Sequence, residues 1–418
     1  MIEWSDTDLM VRDAVRQFID KEIRPHLDEL ETGELSPYPI VRKLYSQFGL
    51  DVMGAESVKK MLDRERNEQD GVQGERQDSA NVLGSGGAQQ SMMAVLVSEL
   101  ARVSIGVLST ATVSIGLGAG TIASRGTLAQ KERWLPDLMT LNKIAAWAIT
   151  EPDSGSDAFG GMKTHVKRDG EDYILNGQKT FITNGPYADV LVVYAKLDDG
   201  DASPDKVDKR NRPVLIFVLD AGMPGLTQGK PFKKMGMMSS PTGELFFDNV
   251  RLSPDRLLGE NQQTGGDGRD SARANFTVER IGIATMALGI INECHRLCVD
   301  YAKTRTLWGK NIGQFQLIQL KLAKMEIARM NVQNMVFQSI ERQRAGKPLT
   351  LAEASAIKLY SSEAATDVAM EAVQLFGGNG YMAEYRVEQL ARDAKSLMIY
   401  AGSNEVQVTH IAKGLLSG

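Results

Sequence analysis

Cysteine is nearly absent: Cys294 and Cys298 are the only two in 418 residues. That excludes a disulfide framework and suits a reducing compartment. Histidine is almost as scarce, with His26, His165, His295 and His410 alone. Cys294, His295 and Cys298 cluster on one predicted helix, but the other histidines are remote in sequence, so an apolar helix core is expected there and no metal. There is no Lys/Arg-rich block, and 48 basic against 53 acidic residues leave a net charge of −5. The footprint of a nucleic-acid binder is therefore missing. No apolar run reaches the roughly 18 residues that span a bilayer, which argues against a membrane protein. The start, MIEWSDTDLMVRD, lacks a basic segment followed by an apolar core, so no signal peptide is read and a cytoplasmic protein is expected. With 42% hydrophobic and 24% charged residues the chain is ordinary globular material, and its length predicts two to three domains.

Three stretches differ in pattern. Residues 1–145 read as helical. Asp6 or Thr7 is placed to cap a first helix carrying Leu9, Val11, Val15, Phe18 and Ile19, with Pro25 as its stop. Further helical patterns run from Met92 through Leu100 and through VSIGVLSTATVSIGLGAGTIASRG. Between the first helix and the one from Met92, residues 63–90 hold nine charged residues, five glycines and five apolar ones, which predicts a long loop. Residues 146–262 turn to strands: YILNGQKTFITNG, DVLVVYAKL, PVLIFVLD and GELFFDNVRL are β-branched or aromatic runs bounded by turn formers. Such short, dense strands suggest a small sandwich or barrel. Residues 263–418 return to long helices, near 272–305, 315–344 and 351–376, and imply a bundle.

Several motifs stand out. Gly118-Ala119-Gly120-Thr121-Ile122-Ala123 matches a dinucleotide fingerprint, but it sits in a helical run without a strand before it, so close helix packing is the expectation. Trp147 to Asp157, WAITEPDSGSD, is an apolar strand ending in a turn of hydroxyls and carboxylates. It suits a phosphate and a heteroaromatic ring as well as an ordinary Asp/Ser turn. TFITNG, 180–185, reads either as a ligand-facing strand end or as an Asn-Gly hairpin turn. Residues 374–407 contain three glycines in Gly377-Gly378-Asn379-Gly380. They also contain Ala401-Gly402-Ser403, which opens a last helix whose N–H groups can hold a carbonyl or phosphate.

AWAITEPDSGSD, RTLWGK followed by Gln316, and QLFGGNGYMAEYRVEQLARDAKSLMIYAGSNEVQ occur in this order, and together they resemble the acyl-CoA dehydrogenase family. The resemblance implies an α+β multidomain fold, with an N-terminal helical domain, a middle β-barrel and a C-terminal four-helix bundle, assembled as a homotetramer. It implies FAD between barrel and bundle. Trp147, Ile149 and Thr150 would line the flavin, with Gly155 and Ser156 near its ribityl-phosphate side, and Phe181 and Thr183 on the other face. Arg305, Trp308 and Gln316, with Gln374, Gly377 and Gly378 from another subunit, would hold the adenosine diphosphate. Ser403 and Glu405 would complete the site.

The implied reaction is α,β-dehydrogenation of an acyl-CoA to a trans-2-enoyl-CoA. A base takes the Cα proton, hydride passes to flavin N5, and an electron-transfer flavoprotein is the final acceptor. Many members carry the base after Ile-Tyr in the last motif, but Ile399-Tyr400 is followed here by Ala401. The isovaleryl-CoA and long-chain branches instead use a glutamate in E-R-x-x-[IL]-A, and Glu279-Arg280-Ile281-Gly282-Ile283-Ala284 matches. Glu279 is thus the expected base. The resemblance gives the enolate oxygen to the Ala401 N–H and a flavin ribityl hydroxyl, and the rest of the substrate surface to Arg280, Tyr400, Gly402 and Ser156. Glu151 is the competing carboxylate. A small residue at 401 is compatible with branched or long acyl groups. The alternatives are a flavin monooxygenase or oxidase on the same fold, or a non-catalytic partner subunit.

Overall fold

The computed structural model describes residues 3–70, 87–198, 208–259 and 268–417. Helix α1 (Asp6–Phe18) is capped by Ser5, one residue before the expected position. The Ser5 hydroxyl accepts the Asp8 N–H at 3.2 Å and the Asp8 carboxylate accepts the Ser5 N–H at 3.0 Å. This reciprocal pair satisfies two orphan amides, which Asp6 and Thr7, already inside the helix, do not. A π-turn (Ile19–Ile23) and a 3-10 turn (Arg24–His26) carry the chain through Pro25 to α2 (Leu27–Thr32), α3 (Tyr38–Gln47) and α4 (Leu50–Gln69).

The loop expected over 63–90 is helical at both ends, because α4 continues to Gln69 and α5 spans Gly87–Ala101. The rest of that stretch, 71–86, lies outside the described residues. Charge holds the end of α4 where an apolar face does not: Glu65 pairs with Lys131 at 2.6 Å, and Arg66 with Glu132, both on α8 (Leu128–Met139). Next come α6 (Ile105–Thr112), a π-turn (Val113–Ala119) and α7 (Gly120–Arg125). The G-x-G-x-x-A motif lies here as a packing device: a Cβ on Gly118 would stand 2.4 Å from the Ala145 Cβ.

The strands are β1 (Ala145–Ala148), β2 (His165–Asp169), β3 (Asp172–Thr183), β4 (Val190–Leu197), β5 (Val214–Asp220), β6 (Leu226–Gln228) and β7 (Thr242–Leu252). They form one mixed sheet in the order β1-β4-β2-β3-β7-β6, with β5 on β4. β4 is buried at every position, since alternate residues face two different cores. Val190, Val192 and Tyr194 join the core shared with the helices, while Leu191, Val193 and Ala195 join the core inside the sheet. Asn184-Gly185 is not a hairpin turn, because β3 pairs with β2 and β7 and not with β4. Asn184 is a junction: its amide donates to Thr110 and Ala145 carbonyls, both at 3.0 Å, and accepts from the Tyr38 hydroxyl at 3.2 Å.

The C-terminal third comprises α9 (Gly268–Thr304), a small hairpin of β8 (Thr306–Leu307) and β9 (Lys310–Asn311), α10 (Gln316–Arg344), α11 (Leu351–Phe376), α12 (Val387–Ser396) and α13 (Asn404–Leu416). α11 is central, packing on α9, α10, α12 and α13, while α5 packs on α9. Ile105–Arg125 and Gly268–Thr304 are long and apolar enough by composition to cross a membrane, yet most of the apolar window in each is buried inside the protein, as in core helices. Cys294 and Cys298 are fully buried in that core, and no metal-binding group is found among the described residues.

Candidate active site

Sheet and bundle meet where β1 faces α9. Trp147, at the end of β1, stands 6.3 Å ring to ring from Phe276 on α9 and 5.1 Å from Tyr194 on β4. Its indole Nε1 is buried without a hydrogen-bond acceptor. Ile149 is buried and Thr150 half-buried, and the Thr150 carbonyl accepts the Thr180 N–H at 2.9 Å, fixing both strand ends together. Gly155 and Ser156 are exposed on the turn that follows. Phe181 is 66% exposed at a backbone φ of +57°, beside Phe232 at 5.8 Å, with half-buried Thr183 two residues on. Phe181 lies at the break in register of β3 on β7 between Lys179 and Ile182, where the left-handed backbone turns its ring to solvent. The orphaned indole and the bare phenyl ring fit a flat heteroaromatic cofactor that offers an acceptor and a face.

Glu151 is engaged elsewhere. It pairs with Lys179 at 2.8 Å, both sides buried, and accepts the backbone N–H of Lys163 at 2.6 Å and of Thr164 at 3.0 Å. Burial alone would raise its carboxyl, but the Lys179 ammonium and these donors outweigh it and hold it below the usual range. Lys179 also donates to the Ile149 carbonyl at 3.0 Å, so this lysine, unnoticed in the sequence, sets the wall that Ile149 and Thr150 form.

Glu279 lies half-buried on α9, in the helix turn after Phe276, and accepts no hydrogen bond from the described residues. Burial pushes its carboxyl up to about 7, against the lowering effect of Arg280 and Lys358. Its neighbours come from the 400–403 turn and α11. Burial and the Glu279 charge raise the Tyr400 hydroxyl, which contacts the Met286 sulfur at 3.5 Å. Ala401 is buried at φ +58°, and its N–H has no acceptor among the described residues. Arg280, 2% exposed, donates to the Ser355 hydroxyl at 2.9 Å and comes within 3.5 Å of where a Gly402 Cβ would stand. Half-buried Ser403 and exposed Glu405 follow at the start of α13.

The remaining predicted residues gather at the far end of the bundle. Arg305, Trp308 and Gln316 are exposed there, Trp308 at 82% and φ +51°. Exposed Gln374, Gly377 and Gly378 end α11 beside them. The Tyr301 and Phe376 rings stack at 4.1 Å, and Asn379 donates to the Tyr301 hydroxyl at 3.0 Å. Arg305 directly follows the end of α9, and from Glu279 to Thr304 that helix rises about 38 Å. One chain therefore does not bring these two groups together.

The chain matches the family models for the acyl-CoA dehydrogenase N-terminal domain over 80–142, middle domain over 146–250 and C-terminal domain over 266–416. An acyl-CoA dehydrogenase of Bacillus subtilis is 35% identical over 412 residues, 98% of each chain. The caffeyl-CoA reductase–Etf complex subunit CarC of Acetobacterium woodii is 33% identical, covering 99% of each. Among solved structures, butyryl-CoA dehydrogenase from Megasphaera elsdenii superimposes with a TM-score of 0.83 at 33% identity over the whole of both chains. A glutaryl-CoA dehydrogenase from Mycobacterium smegmatis in complex with FADH2 gives 0.81 at 26%, covering 99% of this chain and 96% of that one.

Proposed function

This chain belongs to the acyl-CoA dehydrogenase family, FAD-dependent oxidoreductases, and from that premise we propose that Glu279 is the base that takes the Cα proton of an acyl-CoA thioester. The bound flavin supplies the hydride acceptor. Trp147, Ile149, Thr150, Gly155, Ser156, Phe181 and Thr183 would hold its ring and ribityl-phosphate portion. The protein's own work is proton removal. A C–H beside a thioester is weakly acidic, so the base must sit in a dry place with a raised pKa and the enolate oxygen must meet a fixed donor. Glu279 meets the first requirement, with its carboxyl near 7 and no competing hydrogen bond. The unpaired Ala401 N–H meets the second. Position 401 has no carboxylate of its own and Glu151 is bound to Lys179, whereas Glu279 accepts no hydrogen bond among the described residues. That unengaged, half-buried carboxylate, whose charge bears on Tyr400 one residue before the Ala401 amide, carries the reading.

The separation of the Arg305 and Gln374 groups from Glu279 supports a cofactor site completed by a second copy of the chain, as a homotetramer provides. The Etf complex named for the Acetobacterium relative supports an electron-transfer flavoprotein as acceptor. The test is Glu279→Gln. The variant should purify yellow and bind acyl-CoA, while anaerobic bleaching of its flavin slows by about 10²–10⁴-fold. Bleaching at the wild-type rate would remove Glu279 from the chemistry.

A further inference from the structure

Lys358 sits two turns into α11, 0% exposed, among Ala354, Ser355, Ser361 and Ala365. A lone ammonium in such a place costs several kcal/mol of desolvation, which a neutral side chain would avoid. Its partners explain the choice. Nζ donates to the Gly402 carbonyl at 2.9 Å and to the Asn404 side-chain oxygen at 2.8 Å. The third N–H has no acceptor among the described residues. From the other side Gln407, also fully buried, donates through Nε2 to the Ala401 carbonyl at 3.1 Å and the Gly402 carbonyl at 2.7 Å. The two consecutive carbonyls that follow the unpaired Ala401 N–H are therefore both gripped from behind. Ala401 is thereby held at φ +58°, which a non-glycine residue adopts only under constraint.

We propose that Lys358 and Gln407 are positioning residues for the enolate: they lock the Ala401–Gly402 turn so that the Ala401 N–H points at the thioester oxygen, and the Lys358 charge polarises that turn from behind. Capping of α13 does not call for this charge: Ser403, its N-cap, makes no side-chain cap hydrogen bond, Lys358 donates to carbonyls and not to the orphan amides, and a cation is disfavoured at a helix N-terminus. Lys358 and Arg280 also bear on Glu279, both drawing its carboxyl down. Lys358 thus holds the turn that carries the amide by contact and acts on the carboxylate through its charge. This inference rests on the acyl-CoA reading above.

The test reads enolate stabilisation without turnover. A 3-ketoacyl-CoA is bound to the holoenzyme and its apparent acidity is taken from enolate absorbance across pH. The wild type should lower the ligand's pKa relative to free solution. Lys358→Met should raise the bound value by about one unit, and Gln407→Met, which buries no charge, by a smaller amount. In both, kcat should fall about tenfold with KM nearly unchanged. Lys358→Gln, which keeps a donor, should recover part of the loss. Lys358→Met that folds and leaves both the ligand acidity and kcat at wild-type values overturns the proposal. If Lys358→Met does not fold, an unshifted Gln407→Met overturns it equally. A wild type that does not perturb the ligand at all refutes the enolate site itself and not this clamp.

Discussion

Replacing Glu279 with glutamine should make the ligand-free protein more stable above neutral pH and leave it unchanged in acid. Burial lifts the Glu279 carboxyl to about 7, from the usual 4.5 of a free glutamate, with Arg280 on the same helix and Lys358 on α11 opposing. Between those values the native state keeps a proton that the unfolded chain has released. Stability from this group is therefore present below pH 4.5 and lost as pH rises through 7. At 1.36 kcal/mol per unit, ionising Glu279 in the folded protein costs about 3 kcal/mol. Glutamine does not titrate. The gap between variant and wild type should accordingly widen by up to about 3 kcal/mol from pH 5 to pH 8, several degrees of melting temperature. Melting both proteins in the same cofactor state at the two pH values reads it. A gap that is the same at both would mean that Glu279 is an ordinary solvated acid, and the argument for a tuned base fails.

Other outcomes follow from single contacts. Lys179→Met strands the buried Glu151 carboxylate and frees the Ile149 carbonyl, so it should destabilise by about 3–5 kcal/mol, measured by denaturant unfolding, and release flavin on gel filtration. Gly118→Leu, which must displace Ala145, should cost about 1–3 kcal/mol by thermal melting without changing any response to NADH, as a packing glycine predicts. Trp308→Ala, at a surface site, should leave the melting of a monomeric fraction within about 0.5 kcal/mol, yet weaken FAD retention if a second copy uses that ring.

What the sequence made legible was whatever repeats along the chain. The bundle helices α9, α10 and α11 have helical periodicity over 26 residues or more, and their ends fall close to the expected ones. β3, β4, β5 and β7 were readable as β-branched runs, whereas the three-residue β6 and the polar β2 (HVKRD) carry too little pattern to show. The end of α4 looked like loop because ion pairs to α8, 66 residues away, stabilise a segment whose composition does not. Asn184 resembled a hairpin turn because its contacts with Tyr38 and Thr110 are invisible in local sequence.

In the candidate site, the motifs marked the strand ends and Glu279, and they did not mark the lysines behind them. Lys179 and Lys358 act through carbonyls 30 and 44 residues distant. The available signal was a lysine on the buried face of a helix, Ala354-Lys358-Ser361-Ala365, where an apolar residue fits the period.

The account stands on Glu279 as the group that removes the Cα proton. Wash-in of solvent deuterium at C2 of a bound 3-thiaacyl-CoA, which is not oxidised, reads that step by mass spectrometry. The wild type should exchange readily, Glu279→Gln should fall by at least a hundredfold, and Glu151→Gln, if it folds, should retain exchange. Undiminished exchange in Glu279→Gln would contradict the account.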